Sequence, residues 1–65
     1  MKNNLIKIVI ADDNRFFCEA LKDSLNIHKE LSVAHTFTSL DPLIYFTKTH
    51  NFDILILDVN FNGQS

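Results

Sequence analysis

The chain contains 65 residues, of which 46% are hydrophobic and 22% are charged, and its formal net charge is −2. This composition excludes a purely disordered segment, and the slight negative charge argues against direct nucleic-acid binding. The single cysteine, Cys18, cannot form an internal disulfide, which excludes a disulfide-stabilised secreted mini-protein. A domain of this size hides only about 60% of its unfolded surface, so its core is marginal.

Neither a membrane span nor a signal peptide is indicated by the pattern of apolar residues. The apolar runs 8–11 and 54–57 have four residues each, whereas a membrane-spanning helix needs about 20. The amino-terminal segment is interrupted by Lys7 and stops at two aspartates, unlike a signal peptide. We therefore expect a cytoplasmic α/β protein that does not contact a membrane.

The first half of the chain predicts a strand followed by a helix. Residues 5–11 are short, β-branched and almost continuously apolar, which is typical of a strand buried on both faces of a parallel sheet. Residues 12–14 end this strand, because Asp and Asn favour turns and helix amino-termini. Over 14–28 the apolar spacing predicts an amphipathic helix. Its expected packing side comprises Phe17, Ala20, Leu21, Ser24, Leu25 and His28.

The second half of the chain repeats the alternation of strand and helix. Residues 31–37 predict a more polar strand at a sheet edge. Asp41 and Pro42 predict the cap and the first position of a helix over 41–50. Residues 53–58 predict the clearest strand, with four large aliphatic residues between two carboxylates. The expected packing side of the second helix comprises Leu43, Ile44 and Phe46, with Tyr45 as a further candidate.

The β-α-β-α-β order predicts one α/β domain over 1–65, with parallel strands and helices packed against the sheet. After Asp58 only seven residues remain, fewer than the dozen or so that another parallel crossover requires. We therefore expect half of a doubly wound sheet, truncated after the third strand, whose exposed edge favours self-association. The alternative is that the second helix and the tail shield this strand.

Three carboxylates fall at the ends of predicted strands. Asp12 and Asp13 follow the first strand, and Asp58 ends the third. If these strands are neighbours, about 4.8 Å apart, the three side chains converge at the edge where open parallel sheets bind ligands. Close carboxylates repel one another unless a cation joins them, and Mg²⁺ prefers oxygen ligands of this kind. Asp58 is then a candidate nucleophile toward phosphorus. Taken singly, each aspartate also fits a cap or turn residue.

Two segments, 8–14 (IVIADDN) and 52–60 (FDILILDVN), resemble the hallmark segments of response-regulator receiver domains. The interval between them also fits that family, and the resemblance covers essentially all of this chain and roughly the first half of a receiver domain. It implies a flavodoxin-like fold with strand order 2-1-3. The triplet 58–60 (DVN) most resembles the receivers that precede a helix-turn-helix DNA-binding domain.

By this resemblance, Asp58 is the phosphoacceptor, and Asp12 and Asp13 form the acidic Mg²⁺ pocket. The main-chain carbonyl of Asn60 would be a further metal ligand. The implied partner is a histidine kinase or a phosphotransfer protein. The resemblance thus implies a phosphoacceptor signalling module, not an enzyme.

The sequence departs from the receiver pattern in several places. Residues 61–63 (FNG) replace a Met-Pro-Gly-like turn, and Cys18 replaces an Arg that is frequent in the first helix. The hydroxyl residue and the Lys that engage the phosphoryl group in the family would lie beyond Ser65. We therefore expect impaired or absent phosphotransfer by this chain. The alternative function is a non-catalytic module that oligomerises through the third strand.

The other reactive side chains do not predict a site. His28, His35 and His50 form no i, i+4 pair and have no cysteine at a zinc spacing, which predicts surface or partly packed histidines. Cys18 is predicted to be a small packing residue. A phosphatase of the haloacid-dehalogenase type would need a second Asp two positions after its nucleophile, where this chain has Asn60.

Overall fold

A computed structural model describes residues 4–61 of the chain. All three strands are parallel, in the order β2-β1-β3. The predicted α/β class, element order and strand order are therefore confirmed, and the arrangement is that of half a flavodoxin-like sheet. The elements are β1 (Ile6–Ala11), α1 (Arg15–Asn26), β2 (Leu31–Phe37), α2 (Leu40–Thr49) and β3 (Ile54–Leu57).

The central strand β1 is buried on both faces along residues 8–11, as its continuous apolar sequence predicts. Ile8 and Ile10 contribute to the core beneath α1, whereas Val9 and Ala11 contribute to the core beneath α2. All four side chains are at most 5% exposed. The alternation places one helix on each face of the sheet, because successive strand residues point to opposite sides.

Each helix buries a narrower stripe than its sequence predicts. In α1, Cys18 is buried and Leu21 and Leu25 are half-buried, whereas Phe17 is 47% exposed. The helix is therefore rotated by about one residue from the expected orientation, and the stripe runs along the i, i+3 and i+7 positions. Of the other expected packing residues, Ala20 and Ser24 are exposed. The helix ends at Asn26, earlier than the predicted 28, so His28 lies beyond it and is exposed as well.

In α2, only Leu43 and Phe46 are buried, and the expectation for Ile44 and Tyr45 is wrong, since they are 47% and 68% exposed. The described sheet has three strands, so it covers only one narrow side of this helix. The helix also begins earlier than predicted, with Ser39 at the N-cap. Consequently Asp41 and Pro42 lie within the first turn, where a carboxylate is favourable and a missing N–H costs no hydrogen bond.

The side chain of Asn26, the last residue of α1, forms hydrogen bonds with the main chain of β2. The Asn26 Nδ2 donates to the Val33 carbonyl at 3.1 Å, and the Asn26 Oδ1 accepts the Val33 N–H at 2.8 Å. The amide thus pairs with both main-chain groups of Val33 as a neighbouring strand would. Among the described residues β2 is an edge strand, as predicted, and the Asn26 side chain satisfies part of the hydrogen-bonding capacity of its edge.

The last described residue packs back on the sheet. Phe61 is 4% exposed and belongs to the core beneath α2, next to the half-buried Leu55. The tail therefore shields part of β3, although Ile54 and Leu57 remain 44% and 49% exposed. The predicted turn through 62–63 and the region up to Ser65 lie outside the described residues. Within residues 4–61, no helix is long and apolar enough to cross a membrane.

Candidate functional site

The carboxyl ends of β1 and β3 lie side by side. Ala11 is paired with Leu57, and the N–H of Asp58 donates to the Ala11 carbonyl at 3.0 Å. The ladder therefore continues one residue past β3 and holds the main chain of Asp58 next to that of Asp12. Because β2 lies on one side of β1 and β3 on the other, this is the switch point where open α/β sheets bind ligands.

Three carboxylates converge at this edge. One oxygen from each of Asp12, Asp13 and Asp58 lies within 4.8 Å of the other two. Asp12 and Asp58 are half-buried, and Asp13 is exposed. The juxtaposition predicted from the strand ends is present in the structure. Asn60 is exposed, and its N–H donates to the Asp58 Oδ1 at 3.2 Å. A role for the Asn60 carbonyl stays a prediction.

The turn after β1 is held by its own polar side chains. The Asp12 Oδ1 accepts the Asn14 N–H at 2.9 Å, and the Asn14 Oδ1 accepts the Phe17 N–H at 3.0 Å. Asn14 is the N-cap of α1, so neither aspartate of the doublet caps the helix. The main chain of Asp12 is fixed as well, since its N–H donates to the Phe37 carbonyl at 3.0 Å.

Cys18 contacts the turn after β1 through a hydrogen bond to Asp12. Its side chain is 1% exposed, and its Sγ donates to the Asp12 carbonyl at 3.4 Å. Burial raises the pKa of the Cys18 thiol, and the negative charge of Asp12 raises this pKa further. The thiol therefore stays protonated at neutral pH and is not an activated nucleophile. Its predicted role as a packing residue is confirmed.

A recess of about 320 Å³ adjoins two of the carboxylates. Asp12 and Asp58 lie on its polar side, and its apolar part includes Phe17 and Val59. These apolar side chains are 47% and 81% exposed. The recess is half-open, so a small polar group can approach Asp58 from solvent.

The donor set suits a hard divalent cation. All three donors are carboxylate oxygens, and the site is partly exposed. Mg²⁺ takes one or two carboxylates and fills its other positions with water and phosphate oxygens. The acidic group has no imidazole or thiolate ligand, the donors that zinc prefers in proteins. Asp12, Asp13 and Asp58 therefore fit Mg²⁺ better than zinc.

The structure also brings together two histidines that sequence spacing does not connect. The ring centroids of His35 and His50 are 6.4 Å apart, and both rings contact Phe46. His28 makes no ring contact within residues 4–61 and lines a separate recess near the start of β2. No sequence signal joins His35 to His50, because their proximity depends on a strand irregularity and on the end of α2.

Searches against protein-family models, curated proteins and solved structures find no match to this chain. The molecule itself has an open parallel α/β fold with a cluster of three aspartates at the switch point.

Proposed function

We propose that this chain is a receiver module of a two-component response regulator and accepts a phosphoryl group on Asp58. The observation that carries the proposal is the convergence of Asp12, Asp13 and Asp58 at the carboxyl edge between β1 and β3. This edge is the ligand-binding position of the fold. The strand order and the acidic cluster both agree with what the receiver resemblance implies. A histidine kinase or phosphotransfer protein is the phosphodonor in this proposal.

The hydrogen bonding of Asp58 suits a nucleophilic role. Its Oδ1 accepts the N–H of Asn60, which orients the carboxylate and leaves Oδ2 to attack phosphorus. The Oδ2–P bond forms as the bond from phosphorus to the nitrogen or oxygen of the donor breaks, and the bonding pair leaves with the donor. Asp12 and Asp13 would hold Mg²⁺, which when bound neutralises charge on the phosphoryl oxygens.

The neighbouring side chain favours a phosphoacceptor over a hydrolase. A phosphatase with an aspartate nucleophile needs a nearby acid to protonate its leaving group. Asn60, two positions after Asp58, carries an amide that cannot supply a proton in this way. The Asn60 amide also cannot act as a general base toward the water that would hydrolyse an aspartyl phosphate, so we expect an aspartyl phosphate on Asp58 to persist long enough to be detected.

The test is phosphorylation of the full chain by a small acyl phosphate in the presence of Mg²⁺, followed by intact-mass spectrometry. Because the sequence predicts impaired phosphotransfer, we expect one added phosphoryl group at a low level, which is absent without Mg²⁺ and absent in Asp58→Asn. Asp53→Asn is the matched control, because Asp53 precedes the same strand at its opposite end. The proposal fails if the chain is not labelled or if Asp58→Asn is labelled as strongly as the wild-type chain.

A second candidate function is self-association through β3. Within residues 4–61, β3 pairs only with β1, so its other edge offers main-chain groups for another strand. Ile54 and Leu57 on this strand are 44% and 49% exposed. These observations favour an interaction module in which two copies join edge to edge.

Sedimentation of the purified chain over a range of concentrations tests this second function. We expect a dimer that Ile54→Lys weakens, because a charged side chain on an edge strand opposes pairing. Ile44→Lys is the control, since Ile44 is 47% exposed like Ile54 but belongs to α2 and not to the edge strand. A monomer at the highest concentration, or equal weakening by both variants, would exclude association through β3.

A further inference from the structure

A β-bulge in β2 moves His35 to the face of the sheet that α2 covers. β1 pairs Ile8 with Val33 and Val9 with His35, so Ala34 is an extra residue on β2. In a regular strand His35 would share a face with Val33, because residues two apart point the same way. Instead its ring lies against Phe46 of α2, with a centroid distance of 4.8 Å. Bulges re-aim side chains in this way and are over-represented near functional sites.

His50 reaches the same aromatic ring from the end of α2. Its imidazole stacks on Phe46 with a centroid distance of 4.6 Å and an interplanar angle of 3°. Its main-chain N–H donates to the Phe46 carbonyl at 2.9 Å, which fixes the residue relative to that ring. His35 and His50 are both exposed, and their centroids are 6.4 Å apart. Two imidazoles therefore contact one ring and remain accessible to a hydrated ion.

A threonine sets which nitrogen of His50 carries its proton. The Thr49 hydroxyl donates to the Tyr45 carbonyl at 2.9 Å, which uses its only proton. Thr49 Oγ1 also lies 2.8 Å from the His50 Nδ1, so in this pair the Nδ1–H must donate. Neutral His50 then has its lone pair on Nε2. Such hydrogen bonds orient metal-binding histidines and raise their basicity.

The ring separation allows the two imidazoles to share one ion. A metal–imidazole bond is about 2.0–2.1 Å, so two rings on one ion have centroids at most roughly 6.5 Å apart. The observed 6.4 Å lies within this limit. Imidazole nitrogens with water in the remaining positions suit Ni²⁺ and Cu²⁺, which bind nitrogen and oxygen donors.

We propose that His35 and His50 form a two-imidazole binding site for a divalent transition-metal ion of the Ni²⁺ or Cu²⁺ type. The two rings border a cavity of about 330 Å³ that also includes Lys7 and Phe52. Lys7 and Phe52 lie near the amino ends of β1 and β3. The acidic site lies at the carboxyl ends of these strands, so the two sites can be tested independently. Water completes the coordination in the cavity.

Calorimetric titration of the full chain with Ni²⁺ tests the proposal, with excess Mg²⁺ present to occupy the carboxylates. We expect one Ni²⁺ per chain. His35→Phe and His50→Phe should each weaken binding by at least about tenfold, since losing even a hydrogen-bond partner of a metal ligand costs roughly 10- to 100-fold. His28→Phe is the matched control and should bind as the wild-type chain does. Circular dichroism checks that each variant is folded.

Paramagnetic broadening of imidazole NMR signals by Ni²⁺ supplies a second measurement in the unmodified chain. Broadening of His35 and His50 before His28 supports the site, even if a variant fails to fold. The proposal is wrong if the wild-type chain binds no Ni²⁺, or if His35→Phe or His50→Phe binds Ni²⁺ as tightly as the wild-type chain. It is also wrong if His28→Phe loses as much affinity for Ni²⁺ as these two variants do. One ion per two chains would also overturn it, because the site would then lie between copies.

Discussion

Replacement of Asp58 by asparagine should stabilise the chain without a divalent cation and remove its response to Mg²⁺. The three carboxylates lie within 4.8 Å of one another, so each pair of negative charges repels. At this distance the repulsion is about 0.9 kcal/mol in water and about 3.5 kcal/mol at an effective dielectric constant of 20. Asp58→Asn removes two of the three pairs and retains an acceptor for the Asn60 N–H.

The expected gain in the free energy of unfolding is about 1 kcal/mol, because the site is partly exposed and salt screens the repulsion. For a domain of this size, this gain raises Tm by roughly 4–8 °C. Mg²⁺ should reverse the order of stability. An ion that binds only the folded chain stabilises it by about 2.7 kcal/mol at one hundred times its Kd, and Asp58→Asn loses most of this effect.

Thermal unfolding followed by circular dichroism, with and without Mg²⁺, measures both effects. Asp23→Asn on α1 serves as the control, because it also removes one negative charge, while Asp23 is exposed and lies outside the acidic cluster. Two results together would refute a repulsive, Mg²⁺-binding role for Asp58. The first is that, without Mg²⁺, the Tm of Asp58→Asn is equal to or below that of the wild-type chain. The second is that Mg²⁺ raises the Tm of both chains equally. Asp58 would then be only a turn residue.

Three further predictions concern stability. Asn26→Ala should lower the free energy of unfolding by about 1–3 kcal/mol in denaturant titration, because it removes both hydrogen bonds to Val33. Phe61→Ala should cost about 3–5 kcal/mol and abolish cooperative thermal unfolding, since Phe61 is 4% exposed. The pKa of Cys18 is raised above its ordinary value of 9.0 by burial and by Asp12. The resulting stabilisation is complete below the thiol's unfolded pKa and is lost as pH rises through the folded pKa, so Tm should fall at alkaline pH.

Each of these predictions has a control. Asn26→Asp keeps the acceptor for the Val33 N–H but loses the donor to the Val33 carbonyl. If this variant is as stable as the wild-type chain, the hydrogen bonds of Asn26 to β2 do not stabilise the fold. Phe16→Ala should be nearly neutral, since Phe16 is 87% exposed. Cys18→Ala removes the titrating group. If its Tm falls with alkaline pH as steeply as that of the wild-type chain, the buried thiol is not the cause.

The marginal core connects these predictions to function. The described chain has a central strand that is at most 5% exposed along 8–11, while Ile54 and Leu57 at one edge remain half-exposed. The turn that carries Asp12 depends on Cys18 beneath it, and Asp58 is held by a hydrogen bond to Ala11. A substitution that loosens either core should therefore also loosen the acidic site.

Much of the fold could be predicted from the sequence because it depends on local pattern. The apolar runs in 5–11 and 53–58 predict strands that must be covered on both faces, and the helical spacing between them predicts crossovers and hence a parallel sheet. In a parallel sheet the carboxyl ends of strands share one edge. The convergence of Asp12, Asp13 and Asp58 follows from that rule together with the adjacency of β1 and β3.

Other features were decided only by tertiary packing. The burial of Cys18 and the exposure of Tyr45 depend on the rotation of each helix about its own axis against a narrow sheet. The spacing of apolar residues predicts this rotation only to within about one residue position. The contact between His35 and His50 requires the bulge at Ala34, since a single extra residue reverses the face of every side chain after it. Register and helix rotation are set by long-range packing, so they emerge only when the whole chain is assembled.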